Sequence, residues 1–245
     1  MDKRSLEDTL VEEDGRPRFI AAGRTDVGSS RPTNQDAFLK LDAMGLWVVA
    51  DGMGGYRDGD VASRMVCDAL TELGRESQFD ETIAGVKVRL QQVNRRLYKA
   101  ATRIINPVLS GSTVAVLLMR RTACAVIWAG DSRVYRLRCG QLTRMTTDHT
   151  WAAELNLQSS EETNHAITRA VGGDGTLLLD VRRDTVRAGD RYLLCTDGLT
   201  HELADDRIAQ LLADGDVEQC ADALIRATLE AGARDNVTVV VIDAR

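Results

Sequence analysis

TVAVLLMRRTACAVIWAGDSRVYRLRCGQLT, residues Thr113–Thr143, decides the fold class. Three runs of strand length, Thr113 to Met119, Ala123 to Trp128 and Arg133 to Arg138, are broken by Arg120-Arg121 and Gly130-Asp131. Cys139-Gly140 then turns into a short fourth run, Gln141 to Thr143. Connections this short favour antiparallel pairing. Upstream, Phe19 to Ala22, Phe38 to Leu41 and Leu46 to Ala50 are further strand candidates, with a Gly- and Ser-rich loop from Gly23 to Asn34. Two helices are expected between these blocks. Val61, Met65, Ala69 and Leu73 recur every four residues, and Ile83, Val86, Leu90, Val93, Leu97, Ala100 and Ile104 form a stripe that Pro107 stops. Downstream, Val181 to Val186 and Arg191 to Cys195 read as a hairpin-like pair, followed by helices around Asp206–Ala213 and Val217–Ala231 and a last strand, Val237 to Ile242. Strands in blocks and helices in blocks predict an α+β fold, with antiparallel sheets packed together and helices outside.

The chain has 245 residues, 44% of them hydrophobic, enough for one domain with a sizeable core. A lead-in over residues 1–17 and a single domain over 18–245 are the expected division. The net charge of -6 argues against nucleic acid as a partner, because phosphate backbones call for basic patches. The five cysteines include no Cys-x-x-Cys pair, so neither a zinc cluster nor a disulfide framework is expected, and a reducing cytoplasm fits. The polar start of the chain and the lack of a long apolar run predict no membrane association.

Aspartates recur at the ends of the apolar runs. Leu46 to Ala50 runs into Asp51-Gly52, Val126 to Gly130 into Asp131, and Tyr192 to Thr196 into Asp197-Gly198. Asp235 immediately precedes the last strand region, and Asp36 precedes Ala37-Phe38-Leu39. One Asp-Gly is an ordinary turn. Several carboxylates on one sheet rim repel each other unless cations neutralise them, and oxygen-only ligands suit Mg²⁺ or Mn²⁺ better than zinc. In Asp51-Gly52-Met53-Gly54-Gly55 the glycines let a backbone carbonyl face such an ion. No Gly-Lys-Ser/Thr follows, so a P-loop is excluded.

In order along the chain stand Arg31-Pro32-Thr33-Asn34-Gln35-Asp36, Ala50 to Gly55, Gly111-Ser112-Thr113, Ala129 to Tyr135, Thr147 to Thr150, Ile167 to Gly172, Leu194 to Leu199 and Asp235 to Thr238. This series resembles the type 2C, metal-dependent serine/threonine protein phosphatases in their compact bacterial form. The resemblance implies a sandwich of two antiparallel β-sheets flanked by α-helices, with a two-metal centre at one end. It implies that Asp51, Asp197 and Asp235 hold a first Mn²⁺ or Mg²⁺ and that Asp51 and the Gly52 carbonyl hold a second. Asp131, with Asp197, would hold a third. Arg31 would grip the substrate phosphate, and Asp36 would act on metal-bound water. Gln35 replaces a common glutamate, and Met53 stands where many eukaryotic relatives have histidine. The implied reaction is attack on phosphoserine or phosphothreonine in proteins by a metal-bridged water, opposing a Ser/Thr kinase, in a cytoplasmic monomer.

Rival readings are a phosphoprotein- or kinase-binding module without turnover, and a two-metal phosphodiesterase. Cys220 and Arg226 match a Cys-x5-Arg phosphatase pattern, but the residues between have helix-forming character. His149, His165 and His201 are scattered; His149 falls within a family-like motif, where it helps shape the site rather than catalyse.

Overall fold

The structure, a computed structural model, describes residues 19–54, 58–74, 78–102, 110–155 and 166–245. The expected lead-in over residues 1–17, Gly55, Ile104, the Pro107 stop and His165 lie outside them.

Two antiparallel sheets pack face to face. One has the order β1 (Phe19–Asp26), β11 (Val237–Ala244), β10 (Arg191–Cys195), β7 (Arg133–Arg138), β8 (Gln141–Arg144). The other runs β2 (Asp36–Leu41), β3 (Leu46–Met53), β5 (Val114–Arg120), β6 (Ala123–Ala129), β9 (Asp180–Thr185), with β4 (Gly111–Ser112) paired to the end of β3. Helices α1 (Gly59–Thr71) and α2 (Phe79–Thr102) cover the second sheet, and α5 (Asp205–Ala213) and α6 (Val217–Ala231) cover the first. Two single turns, α3 (Trp151–Glu154) and α4 (Asp197–Thr200), sit in connections.

The layering explains why the central strands read as unbroken apolar runs. Trp47 and Val49 of β3 pack in the middle layer against Tyr192, Leu194, Val240 and Ile242 of the facing sheet. Leu46, Val48 and Ala50 point the other way, onto Val66, Leu70 and Leu90 of the helices. With both faces buried, no polar alternation survives in the sequence. Each such aliphatic side chain contributes about 1.5–3 kcal/mol of burial.

Two expectations are corrected. The buried stripe of α1 is Ala62, Val66, Cys67 and Leu70, while Val61 is 44% exposed. A strict four-residue spacing rotates by roughly 40° per step, so the expected stripe drifts from exposed Val61 through half-buried Met65 and Ala69, which pack against the core, to buried Leu73. Val181–Val186 and Arg191–Cys195 do not form a hairpin: β9 pairs with β6, and β10 pairs with β7 and β11 in the opposite sheet. The short link between them crosses between sheets. The link from β6 to β7 through Gly130-Asp131 crosses in the same way, and these crossings close the two ends of the sandwich.

Candidate active site

At one end of the sandwich the C-terminal ends of β3, β6 and β10 meet the N-terminal ends of β2 and β11. Topology therefore gathers acids that are far apart in the chain. Asp36 opens β2 and lies directly opposite Asp51 in the β2–β3 register. Asp131 occupies the β6–β7 crossing, Asp197 begins the turn after β10, and Asp235 precedes β11.

Close backbone approach sets the rim. A Cβ on Gly52 would lie 2.0 Å from the Gly59 carbonyl oxygen and 2.6 Å from that of Gln35, so only glycine lets β3 pass α1 here. Gly52 N–H donates to the Gln35 carbonyl at 3.1 Å. The Gln35 side chain packs against Gly59, and Ser63 Oγ donates to the Gln35 carbonyl. Thr113 clasps Asp51 by its backbone: its N–H donates to the Asp51 carbonyl at 2.9 Å, and its Oγ1 accepts from Asp51 N–H at 3.0 Å. The same hydroxyl meets Ser132 Oγ at 2.7 Å, beside Asp131.

The acids are poorly compensated. Asp131 is 8% exposed, and its Oδ1 is buried with no hydrogen-bond partner; the same holds for Oδ1 of Asp197 and of Asp36. Burial first, then the charges of Asp197 and Asp148, pushes the Asp131 carboxyl up to about 8. Burial and the charges of Asp197 and Asp235 push Asp36 up to about 7, although hydroxyl donors from Thr238 and Thr196, at 2.7 and 2.8 Å on Oδ2, oppose the rise. Asp51 is held well above its ordinary range by burial and by Asp197, Asp36, Asp131 and Asp235. Asp197 also rises through burial, even with His201 nearby and a hydrogen bond to Asp51. Carboxyls raised together at one rim are the physical sign of a site short of positive charge.

Arg31 supplies the nearest fixed cation. Its fork donates to both oxygens of Asp235, Nε to Oδ1 at 2.8 Å and Nη2 to Oδ2 at 2.7 Å. The resemblance implies that Arg31 grips a substrate phosphate; in the structure a carboxylate occupies that fork. Among the described residues the acids do not close into a group of three or more with metal-ligand spacing. The Asp235 carboxylate is turned to Arg31, so the oxygens converge without forming a finished cage. The donor set still fits a hard divalent cation: only carboxylate and backbone oxygens, with two ligand candidates, Asp131 and Asp197, each carrying a sealed, unpartnered oxygen.

Sequence reading missed the polar frame around these acids. Asn236 donates through Nδ2 to the carbonyls of Val27 (2.8 Å) and Thr33 (3.1 Å) and accepts from Gln35 N–H (2.8 Å), fastening the Arg31 loop. Thr113, Thr196 and Thr238 are fully buried. Their signal was a hydroxyl inside or beside an apolar run, as in Val237-Thr238-Val239.

The model of the Protein phosphatase 2C family matches residues 25–236. Serine/threonine protein phosphatase PstP of Mycobacterium tuberculosis (strain CDC 1551 / Oshkosh) is 35% identical over 232 residues, 91% of this chain but 44% of its own length. The chain thus spans less than half of that curated relative. A solved structure of PppA, a key regulatory component of T6SS in Pseudomonas aeruginosa, superposes with a TM-score of 0.89 at 35% identity, over 94% of this chain and 99% of that one. The catalytic domain of PstP, solved in complex with 2 manganese ions, superposes with a TM-score of 0.83 at 33% identity, over 92% and 97%. The ordered motifs, the facing antiparallel sheets and the acidic rim where their ends meet have one common explanation: the chain belongs to the protein phosphatase 2C family.

Proposed function

We propose that residues 18–245 form one catalytic unit that hydrolyses phosphoserine and phosphothreonine esters on proteins, with two or three Mn²⁺ or Mg²⁺ ions at the acidic rim. Asp51, Asp131, Asp197, Asp235 and the Gly52 carbonyl would hold the ions. The observation that carries the reading is the pair of sealed, unpartnered carboxylate oxygens on Asp131 and Asp197. The manganese-bound structure of PstP's catalytic domain supports it by likeness.

Bound cations of this kind lower the pKa of a bound water and offset charge on phosphoryl oxygens. The chain's own residues do the rest. Arg31 presents a planar fork that a phosphate can take over from Asp235. Asp36, fixed through Oδ2 by two threonine hydroxyls, keeps Oδ1 to accept a hydrogen bond from water in the site. The substrates would be phosphoproteins made by an opposing serine/threonine kinase, and the likeness to PppA favours a regulatory setting. Among the described residues no helix is long and apolar enough to cross a membrane.

The test is phosphate release from phosphoserine and phosphothreonine peptides with manganese, with a phosphotyrosine peptide as control. Release should need the cation and stop with EDTA. Equal release with EDTA present would refute the reading.

A further inference from the structure

Outside the acidic rim, one buried titratable side chain contacts several elements at once. His149 is 3% exposed and stacks on Trp128, ring centroids 6.0 Å apart and planes 7° from parallel. Its backbone N–H donates to the Gly130 carbonyl at 3.0 Å, and the Gly130 N–H donates to its Nδ1 at 3.2 Å. Gly130 is the residue before Asp131. Its φ of +105° and the 2.7 Å approach that a Cβ would make to Thr113 leave the crossing no other residue and little freedom.

The direction of these bonds fixes the imidazole. A backbone N–H can only donate, so Nδ1 is bare, and in the neutral ring the proton sits on Nε2. Nε2 then donates to Asp180 Oδ2 at 3.2 Å, while Arg169 Nη1, 3.4 Å from Nε2, donates in its shorter bond to Asp180 Oδ1 at 3.0 Å. The Thr168 N–H donates to the His149 carbonyl at 2.8 Å. Thr168 and Arg169 line a cavity of about 400 Å³ that reaches Met53, two residues after Asp51. One ring thus bridges the crossing that carries Asp131 and the wall of a cavity beside the site.

We infer that His149, as a neutral imidazole protonated on Nε2, is a positioning residue: it holds Gly130 so that the Asp131 carboxylate keeps its place at the rim. The inference rests on the reading of Asp131 as a cation ligand. A packing histidine would serve through ring volume and stacking alone; a positioning histidine serves through an acceptor at the Nδ1 position.

Two variants separate these roles. His149→Asn keeps an acceptor where Nδ1 stands. His149→Gln keeps one only near Nε2. Both lose the ring. Mn²⁺ affinity, from calorimetric titration of the full chain, should stay near wild type in His149→Asn and fall about 10- to 100-fold in His149→Gln, the usual range for a partner that orients a ligand. Metal-free melting temperatures of the two variants should agree. Equal Mn²⁺ affinity in both overturns the inference. Asp131→Asn is the control: if it binds Mn²⁺ as wild type does, the ligand reading fails and takes the inference with it. If it binds weakly while both histidine variants bind normally, the ligand reading stands and the inference alone falls. Should His149→Gln not fold, long-range ¹⁵N–¹H spectra of the metal-free wild type decide. His149→Asn assigns the ring among the three histidines. A proton on Nε2 supports the inference, and a proton on Nδ1 overturns it.

Discussion

Strand β10 has an aspartate just before it and another just after it, and the two are held in opposite ways. Asp190 is 2% exposed, yet its carboxyl sits below its ordinary range. Burial alone would raise it. The Arg138 fork, at 2.6 and 2.7 Å, and the Arg187 N–H at 2.7 Å outweigh burial. At the same end Arg191 forks onto Asp243 at 2.6 and 2.9 Å. Asp197, at the other end, has 18% side-chain exposure, a sealed and unpartnered Oδ1 and a carboxyl pushed up by burial. One pole is neutralised by arginines supplied in the chain. The other has Arg31 on Asp235 but leaves buried oxygens of Asp36, Asp131 and Asp197 without a partner, open to ions from solution. A buried charge with its partner is tolerated and a buried charge without one is strained, so the second arrangement is kept where function needs it.

The sharpest way to break this contrast is to neutralise one aspartate at each end. Asp197→Asn should cut turnover of a phosphopeptide at least about a hundredfold, the loss of a main electrostatic contribution to the transition state. Metal-free Asp197→Asn should be no less stable than wild type, because a repulsive carboxylate is gone. Asp190→Asn should do the reverse. It leaves Arg138 facing a neutral amide and should cost about 3 kcal/mol of stability while kcat stays close to wild type. Urea denaturation and phosphatase kinetics on the same preparations read both axes. The contrast fails if both variants lose activity alike or stability alike.

The two poles should also respond to pH with opposite signs. Asp36 and Asp131 titrate near 7 and 8 in the fold and near 3.8 when unfolded. The folded state therefore holds more protons across that window. The stability linked to these groups is complete below about pH 4 and is lost as pH rises through 7 and 8. Asp190, lowered in the fold, contributes stability that is present above its unfolded value and lost only as pH falls below it. The metal-free melting temperature should therefore fall between about pH 5 and about pH 8, and saturating Mn²⁺ should flatten that fall by taking the place of protons. A metal-free profile that rises over this range would show that the carboxyls are compensated by groups not yet identified.

The sequence made the acidic pole legible because aspartates stood directly after apolar runs, as in Val48-Val49-Ala50-Asp51 and Leu194-Cys195-Thr196-Asp197. The arginine-rich pole left no such mark. Arg138 and Asp190 are neighbours only because β7 and β10 pair, and single-strand patterns carry nothing about which strands pair. For the same reason Val181–Val186 and Arg191–Cys195 look like a hairpin in the sequence and are not one in the structure: a short link can turn within a sheet or cross between two. The α1 core face is centred one position on from Val61, at Ala62, Val66 and Leu70, with Met65 and Ala69 at its edge, because small Ala62 and Ser63 carry a weaker signal than exposed Val61. Threonines tying one sheet to the other are invisible to periodicity altogether.

Those hydroxyls give the finest test of the contrast. At the acidic pole hydrogen bonds run in sequence from Asn34 Nδ2 to Thr25 Oγ1, on to Thr238 Oγ1 and then to Asp36 Oδ2, each at 2.7 or 2.8 Å. At the other pole Tyr192 OH donates to Asp190 Oδ2 at 3.3 Å. Thr238→Val keeps shape and removes a donor to a carboxyl that changes charge near pH 7. Its cost should grow from about 1 kcal/mol, where Asp36 is protonated, to about 2 kcal/mol, where Asp36 is ionised, because hydrogen bonds to charged groups are stronger. Tyr192→Phe removes a longer bond to a carboxyl already ionised throughout this range, so its cost should be below about 1 kcal/mol and flat with pH. Urea denaturation of both variants at about pH 6 and about pH 8 makes the comparison. A flat cost for Thr238→Val would mean that Asp36 keeps one charge state across the interval, which would remove the electrostatic distinction between the two ends at its most local point.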